Sequence, residues 1–304
     1  MLSAHADIVG AWSHHVRVTE DLVARALAML GRHAAPGDVT RIDAGAGASA
    51  VFGLRDGGRH VVLKVTTVRR ALAGARREMA VYTCPPVDLG VAVPVAVGAA
   101  ERPGMVCLLL AALDPYPPAA RVTRDAWLAV AADLGRLHRV PAAAWPGLRP
   151  RKPPAPSRIV AGLAVWRQLA GDAVADRAGE LLAAAPVPRS TVVVHGDCHV
   201  GNLLRDGDAT VWIDWLDMRA GTGVEDLALL WQRAEFDGGR PPRAAMLDVY
   251  LRHRGDPDVP VFRRALAAEE VRLLAVDWPR FLASAPPARR SVLVDRMRRL
   301  TATG

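Results

Sequence analysis

The sequence predicts an α+β chain in two parts, a small sheet domain over residues 1–112 and a larger, mainly helical domain over residues 113–304. Three observations predict it. Five short strand-like runs fall within the first 110 residues, the breaker-rich stretch Leu113-Asp114-Pro115-Tyr116-Pro117-Pro118 ends them, and helix-period patterns dominate the remainder of the chain. With 51% hydrophobic and 23% charged residues, the chain has the apolar content of a folded protein and does not read as disordered.

Residues 18–33 carry Val18, Leu22, Val23, Ala26, Leu27 and Leu30 at helical spacing, with Thr19 as N-cap and Gly31 as stop. Two strand-like runs, 39–42 and 51–54, are joined by small residues that include Gly45, Gly47 and Ser49. Asp56-Gly57-Gly58 is a tight-turn signal, and residues 60–65 form the third strand. A helix over 69–82 and strands over 94–99 and 104–110 complete the first part.

In the second part the clearest helix spans 123–139, with Trp127, Leu128, Val130, Ala131, Leu134, Leu137 and His138 on one stripe. A Pro-rich loop comes next over 141–156, then helices over 158–171 and 173–185, closed by Pro186 and Pro188. Further helices begin at Glu225 and run over 242–253, 260–275 and 287–300.

The net charge of +8 is carried almost entirely by arginine, but it is not where the chemistry-bearing residues lie. Between residues 195 and 237, three arginines stand against nine carboxylates. A nucleic-acid reader places positive charge at its working surface, so nucleic acid is not an expected partner. The arginines of 287–300 read as a solvated helix face. Cys84, Cys107 and Cys198 are an odd set without metal-type spacing and read as reduced thiols of a cytoplasmic protein. No apolar run approaches the roughly 20 residues of a membrane span, and residues 1–17 lack the apolar core of a signal peptide. The expected state is a monomer.

The most informative stretch is Val192-Val193-Val194-His195-Gly196-Asp197-Cys198-His199-Val200-Gly201-Asn202-Leu203-Leu204, followed by Val211-Trp212-Ile213-Asp214-Trp215. A buried-strand pattern delivers a Gly-Asp pair, an Asn follows five residues after that Asp, and a second apolar run delivers another Asp. These are hard oxygen ligands for a divalent cation, with one carboxylate left to orient a hydroxyl. Other residues carry two readings each. Lys64, among apolar neighbours on the third strand, is either a solvent-facing edge residue or a cation aimed at a ligand. Glu78 either reaches back to Lys64 or pairs with a surface arginine. Ser49 either sits in a plain hairpin or donates to a phosphate. His138 reads as a packed core histidine.

At His195-Gly196-Asp197 with Asn202, and then Ile213-Asp214-Trp215, the sequence resembles the aminoglycoside phosphotransferase and choline kinase family, which shares the protein-kinase-like fold. Asp226 in Glu225-Asp226-Leu227-Ala228, and Leu134-Gly135-Arg136-Leu137-His138, match further family positions, so the resemblance spans residues 42–231. It implies a two-lobed molecule with a five-stranded antiparallel nucleotide-binding N-lobe, a hinge near residues 110–114 and a helical C-lobe that carries the catalytic, metal and acceptor sites. It also implies that Lys64, fixed by Glu78, and Ser49 bind the nucleotide. Asp197 becomes the catalytic base or hydroxyl-orienting carboxylate, while Asn202 and Asp214 bind Mg²⁺. His195 and Gly196 take structural parts, and Trp215 packs beneath the metal-binding Asp.

The implied donor is ATP or GTP, and the favoured acceptor is a hydroxyl of an aminoglycoside or other cationic antibiotic. Glu225, Glu235, Asp237, Glu269, Glu270 and Asp277 are candidates to hold its ammonium groups; their alternative is pairing with the chain's many arginines. A second reading is a metabolite kinase for an amino alcohol or sugar, with Trp231 and Trp278 as walls of a cation cage. A third is a nucleotide-binding pseudokinase, disfavoured because Lys64, Glu78, Asp197, Asn202 and Asp214 are all present.

Overall fold

The computed structural model describes residues 20–33, 38–42, 48–185, 191–255 and 258–302. The leading residues 1–17, the cap residue Thr19, the loop residues 43–47 and the helix stops Pro186 and Pro188 lie outside them. The chain divides into two compact units, Met1–Cys84 with Pro94–Leu113, and Pro85–Val93 with Asp114–Gly304.

The first unit holds helix α1 (residues 20–29), strands β1 (Thr40–Ile42), β2 (Ser49–Asp56) and β3 (Arg59–Thr66), helix α2 (Leu72–Thr83), and strands β4 (Ala96–Arg102) and β5 (Met105–Ala111). The sheet order is β1-β2-β3-β5-β4, and every neighbouring pair is antiparallel. The helical stripe of α1 meets one sheet face. Val23, Ala26 and Leu27 pack there with Phe52, Leu54, Val61, Leu63, Val65, Met105, Cys107 and Leu109, and each fully buried Leu, Val or Phe contributes about 1.5–3 kcal/mol.

The period of two on β3 sends Val61, Leu63 and Val65 into that core and Lys64 to the opposite face. Since β3 is the middle strand, with Lys64 opposite Val51 on β2 and Leu108 on β5, the edge-strand reading of Lys64 is excluded.

The second unit gathers α3 (Arg124–Leu137), α4 (Pro156–Ala170), α5 (Asp172–Ala183), α6 (Val224–Phe236), α7 (Arg243–Arg254), α8 (Val259–Arg272), the short α9 (Pro279–Leu282) and α10 (Pro287–Ala302). Residues 85–93, expected in the sheet domain, belong here because their backbone is bonded here. The Trp212 amide donates to Ala92 O (2.8 Å) and Arg136 Nε to Gly90 O (3.0 Å). Thr123 caps α3 by accepting from the Ala126 amide (3.3 Å), and the predicted stripe buries Trp127, Val130, Ala131, Leu134 and Leu137.

Two small sheets carry the signature stretch. Strand β7 (Val192–Val194) pairs with β10 (Arg219–Gly221), and β8 (Leu203–Asp206) lies between β6 (Asp114–Pro115) and β9 (Ala209–Trp212). The β8 and β10 strands were not expected; four and three residues are too few to show a period.

The single helix expected over 260–275 is also divided: α8 ends at Arg272 and passes into a π-helical turn, Leu273–Asp277. Pro279 has no amide to continue a helical ladder, and the widened turn offers Leu274 O to the indole of the buried Trp166 (2.7 Å). Among the described residues, no helix is long and apolar enough to cross a membrane.

Candidate active site

Strand β7 is three buried valines, and its antiparallel pairing with β10 aims the chain from Val194 into His195, Gly196 and Asp197. At Gly196 the backbone adopts φ 88°, and a Cβ there would overlap the Asp217 carbonyl. Only glycine meets both conditions. The loop is then held from below by Asp226 near the start of α6, whose Oδ2 accepts from the His195 amide (2.7 Å) and whose Oδ1 accepts from the Gly196 amide (2.9 Å). Burial works to raise the Asp226 pKa, but the hydrogen bond from His138, with the Arg219 charge nearby, outweighs it and holds the carboxyl below its ordinary range.

His195 is fully buried. Its Nε2 donates to Ile213 O (2.9 Å), its Nδ1 accepts from the Asp197 amide (3.3 Å), and its ring lies 4.6 Å from that of Trp215. Burial depresses its pKa against the pull of Asp226, the Ile213 carbonyl, Asp197 and Asp214. One imidazole thus ties the Gly-Asp loop to the strand end that bears Asp214. Trp215, also fully buried, donates its indole N–H to Trp212 O (3.1 Å). Beneath this point the Trp212 indole donates to Asp133 on α3 (3.1 Å), which Arg136 also grips.

The side chain of Asp197 is partly exposed. Its Oδ2 lies 3.5 Å from His199 Nε2 and 3.2 Å from Asn202 Nδ2, and the same Nδ2 also donates to Asp197 O (2.8 Å). Burial alone would raise the Asp197 pKa; His199, His195 and the Asn202 amide overcome it and bring the carboxyl to about 2. The Asn202 amide is committed to Asp197 through its nitrogen, which leaves its oxygen for a cation or another donor. Asp214 takes a left-handed conformation, φ 64° and ψ 63°, and is the only non-glycine residue with positive φ among the described residues. Backbone outliers of this kind cluster where a side chain must be aimed.

A third carboxylate, Asp217, stands nearby. Burial and the charges of Asp197 and Asp214 raise its pKa, against Arg219 and His195. Its place could not be read from sequence, because the turn Trp215–Asp217 that brings it in is a single 3₁₀ turn. Cys198, inside the loop, is fully buried with its thiol pKa pushed well up, so it is inert.

In the first unit, Lys64 Nζ and Glu78 Oε1 lie 2.8 Å apart, and the Tyr82 hydroxyl donates to the same oxygen (3.1 Å). The surface-arginine reading of Glu78 is thereby excluded, since its side chain is buried. Ser49 shares a hydrogen bond with its cross-strand neighbour Thr66 (2.7 Å between hydroxyl oxygens).

The six carboxylates expected to hold an acceptor's ammonium groups are instead engaged within the protein. Glu225 accepts from the Thr222 amide and hydroxyl, and Glu235 takes a two-point contact from Arg243 (2.7 and 2.8 Å). Asp237 lies between Arg233 and Arg289, and Glu269 pairs with Arg272. Glu270, 2% exposed, is gripped by Arg243 and Arg296. Asp277 gathers Arg151, Arg158 and Arg272. For the five other than Glu225 the partner is an arginine, the pairing alternative, because a carboxylate withdrawn from water needs a cation and arginine supplies one with five donors. Trp231 and Trp278, proposed as cage walls, are each 3% exposed core residues, with the Arg243 guanidinium over the Trp231 ring and Trp278 Nε1 bonded to Gln232.

Solved structures distant in sequence share this architecture. An amicoumacin kinase, in complex with AMP-PNP, Ca²⁺ and amicoumacin, shares 16% identity, covers 93% of each chain and gives a TM-score of 0.58. A putative aminoglycoside phosphotransferase from Ralstonia eutropha JMP134 shares 17% identity over 93% of this chain and 95% of that one, with a TM-score of 0.57. A type VIII aminoglycoside-3'-phosphotransferase shares 24% over 82% and 98%, with a TM-score of 0.52. They establish a kinase-like fold. No curated protein matches the chain in sequence. The profile of the phosphotransferase enzyme family matches residues 38–275. That span reaches from β1 through the Gly-Asp loop to the π-helical turn, and over it the chain belongs to the phosphotransferase enzyme family.

Proposed function

We propose that the protein is a small-molecule kinase that transfers the γ-phosphoryl group of ATP or GTP to a hydroxyl of an aminoglycoside or related cationic antibiotic. The observation that carries this reading is Asp197, a solvent-reachable carboxylate kept ionised on a loop whose three successive amides are held by the buried Asp226 and His195. With a pKa of about 2, Asp197 is a weak base at neutral pH. It accepts the acceptor's hydroxyl hydrogen and aligns the oxygen, and it takes the proton only as the bond to phosphorus forms. That matches phosphoryl transfer through a loose transition state, where alignment contributes more than early deprotonation.

Asn202 and Asp214 offer a hard-oxygen pair suited to Mg²⁺, one amide oxygen and one carboxylate. Among the described residues no group of three or more His, Cys, Asp or Glu side chains could hold a metal. A magnesium that takes its remaining ligands from phosphates and water needs no such group. Bound there, the ion would neutralise charge on the β- and γ-phosphate oxygens. Lys64, fixed by Glu78, supplies the phosphate-binding cation.

A cationic acceptor is favoured by the gathering of three carboxylates, Asp197, Asp214 and Asp217; burial first, and then the charges of Asp197 and Asp214, raise the pKa of Asp217. Two of the solved structures that share the fold, an amicoumacin kinase and an aminoglycoside-3'-phosphotransferase, are named for antibiotics. A choline-type cage loses its support with the burial of Trp231 and Trp278. The test is release of ADP or GDP with each nucleotide in turn, across aminoglycosides, other cationic antibiotics, amino alcohols and sugars. Turnover with an antibiotic that is abolished by Asp197→Asn supports the assignment. Turnover confined to amino alcohols or sugars overturns the acceptor class, and nucleotide binding without turnover on any acceptor overturns the kinase reading.

A further inference from the structure

Asp226 holds the Gly-Asp loop, and is itself held from the other side by a chain of side chains that the proposed chemistry does not use. Arg254, half-buried at the end of α7, donates from Nη1 to Thr222 O (2.6 Å) and to the Tyr250 hydroxyl (2.7 Å). That hydroxyl lies 2.8 Å from His138 Nδ1, and His138 Nε2 lies 3.1 Å from Asp226 Oδ2. Tyr250, His138 and Asp226 are each no more than 1% exposed. The chain is also closely covered. A Cβ on Gly223 (φ 87°) would stand 2.5 Å from His138 Nδ1, 2.6 Å from the Tyr250 hydroxyl and 2.9 Å from Arg254 Nη1.

The donor inventory gives this chain a direction. A guanidinium only donates, so the Tyr250 oxygen accepts from Arg254 and its own hydrogen is left to go to His138 Nδ1. Nδ1 is then an acceptor, and the ring carries its proton on Nε2, toward the Asp226 carboxylate. If the proton sat on Nδ1 instead, the Tyr250 hydrogen would be orphaned in a buried site and a bare Nε2 lone pair would face a carboxylate oxygen. Both are unfavourable.

We propose that Tyr250 and Arg254 are positioning residues of the phosphoryl-transfer centre: they set the tautomer of His138, which orients Asp226, which holds the loop bearing Asp197. The inference rests on the reading of Asp197 as the hydroxyl-orienting carboxylate. A tyrosine buried for packing alone would need one hydrogen-bond partner. Here the hydroxyl is the only link that both receives from a cation and donates to the ring.

The test uses the full chain, labelled with ¹⁵N and without nucleotide or acceptor. In the wild type, His138 is expected to show a protonated Nε2 and an unprotonated Nδ1. Tyr250→Phe is expected to move both ring nitrogens toward a mixture of tautomers and to speed exchange of the His195 and Gly196 amides by about tenfold. With substrates present it should lower kcat by about ten- to hundredfold, with the nucleotide KM changed by less than about threefold. Arg254→Met should shift the ring nitrogens the same way to a smaller extent, and Arg254→Lys should restore them. If Tyr250→Phe fails to fold, Arg254→Met decides the same ring measurement from the half-buried end. A protonated Nδ1 in the wild type, or ring and amide signals unchanged by either variant, overturns the proposal. These two measurements need no turnover: a wild-type chain that phosphorylated nothing would refute the kinase reading and the catalytic part of this proposal with it, while the ring and amide signals would still decide whether Tyr250 and Arg254 set the His138 tautomer and hold the loop.

Discussion

Glu270 separates two roles for the acidic residues of the helical unit, and Glu270→Gln tests them. The carboxylate accepts from Arg243 Nη1 (2.7 Å) and Arg296 Nε (2.8 Å) on Oε2, and from Arg296 Nη2 (2.5 Å) on Oε1. Burial would raise its pKa; the hydrogen bond from Arg296, the charges of both arginines and the bond from Arg243 outweigh it and lower the pKa. Glutamine keeps the shape but must turn an NH₂ toward a guanidinium. The less costly choice places it at Oε1, which gives up one charge-assisted bond and sets the amide NH₂ against the Arg296 Nη2 donor, where Oε2 would set it against two.

Breaking a buried ion pair by removing one partner costs about 3–5 kcal/mol. The lower end, about 3 kcal/mol, applies here because Arg243 retains Glu235. For a unit of this size that lowers the unfolding midpoint by roughly 6–12 °C. Because the folded pKa lies below the unfolded value of about 4.3, the contribution is fully present above that pH and disappears as pH falls through the folded value. The gap between wild type and variant should therefore close on acidification. Calorimetry across pH, with acceptor KM measured beside it, is the assay. An unchanged midpoint with a raised acceptor KM would refute the structural role and return Glu270 to the acceptor site.

Asp197→Asn should leave folding and nucleotide affinity intact and lower kcat by about 10²–10⁴-fold; a variant with wild-type kcat removes Asp197 from the chemistry. Asp214→Asn keeps a residue that tolerates the left-handed backbone and removes only the charge. It should weaken Mg²⁺-dependent nucleotide binding by about tenfold or more, and equal affinities by calorimetric titration would exclude the metal role. Gly196→Ala should cost more than the roughly 1–2 kcal/mol of a left-handed alanine, because its Cβ also overlaps Asp217 O. Activity should fall with it, and a fully active variant of unchanged midpoint would show that the loop is not held as seen.

Patterns confined to a few neighbouring residues were readable in the sequence. Val192–Val194 announces a buried strand, Thr123 a helix start, and Asp56-Gly57-Gly58 a turn, since each depends on local backbone and side-chain preferences. The spacing of Asp197, Asn202 and Asp214 was readable for the same reason, because one loop and one hairpin carry all three. The short β8 and β10 strands were not, because Leu-Leu-Arg-Asp and Arg-Ala-Gly lack the unbroken β-branched run of the three valines of β7 and take their form from the strands they pair with.

What the sequence determined by itself, then, is the order of the longer elements and the short-range set that marks a phosphotransferase. Tertiary structure decided the pairings. Lys64 is central and not at an edge because β2 and β5 flank its strand. Glu270 is structural because Arg243 and Arg296, 27 and 26 residues away, close on it. His138 is more than a core histidine because Asp226 and Tyr250, 88 and 112 residues distant, lie on its two nitrogens. A buried charge or imidazole takes whichever partner folding brings within about 3 Å, and that partner is set by the packing of whole helices rather than by the residues beside it.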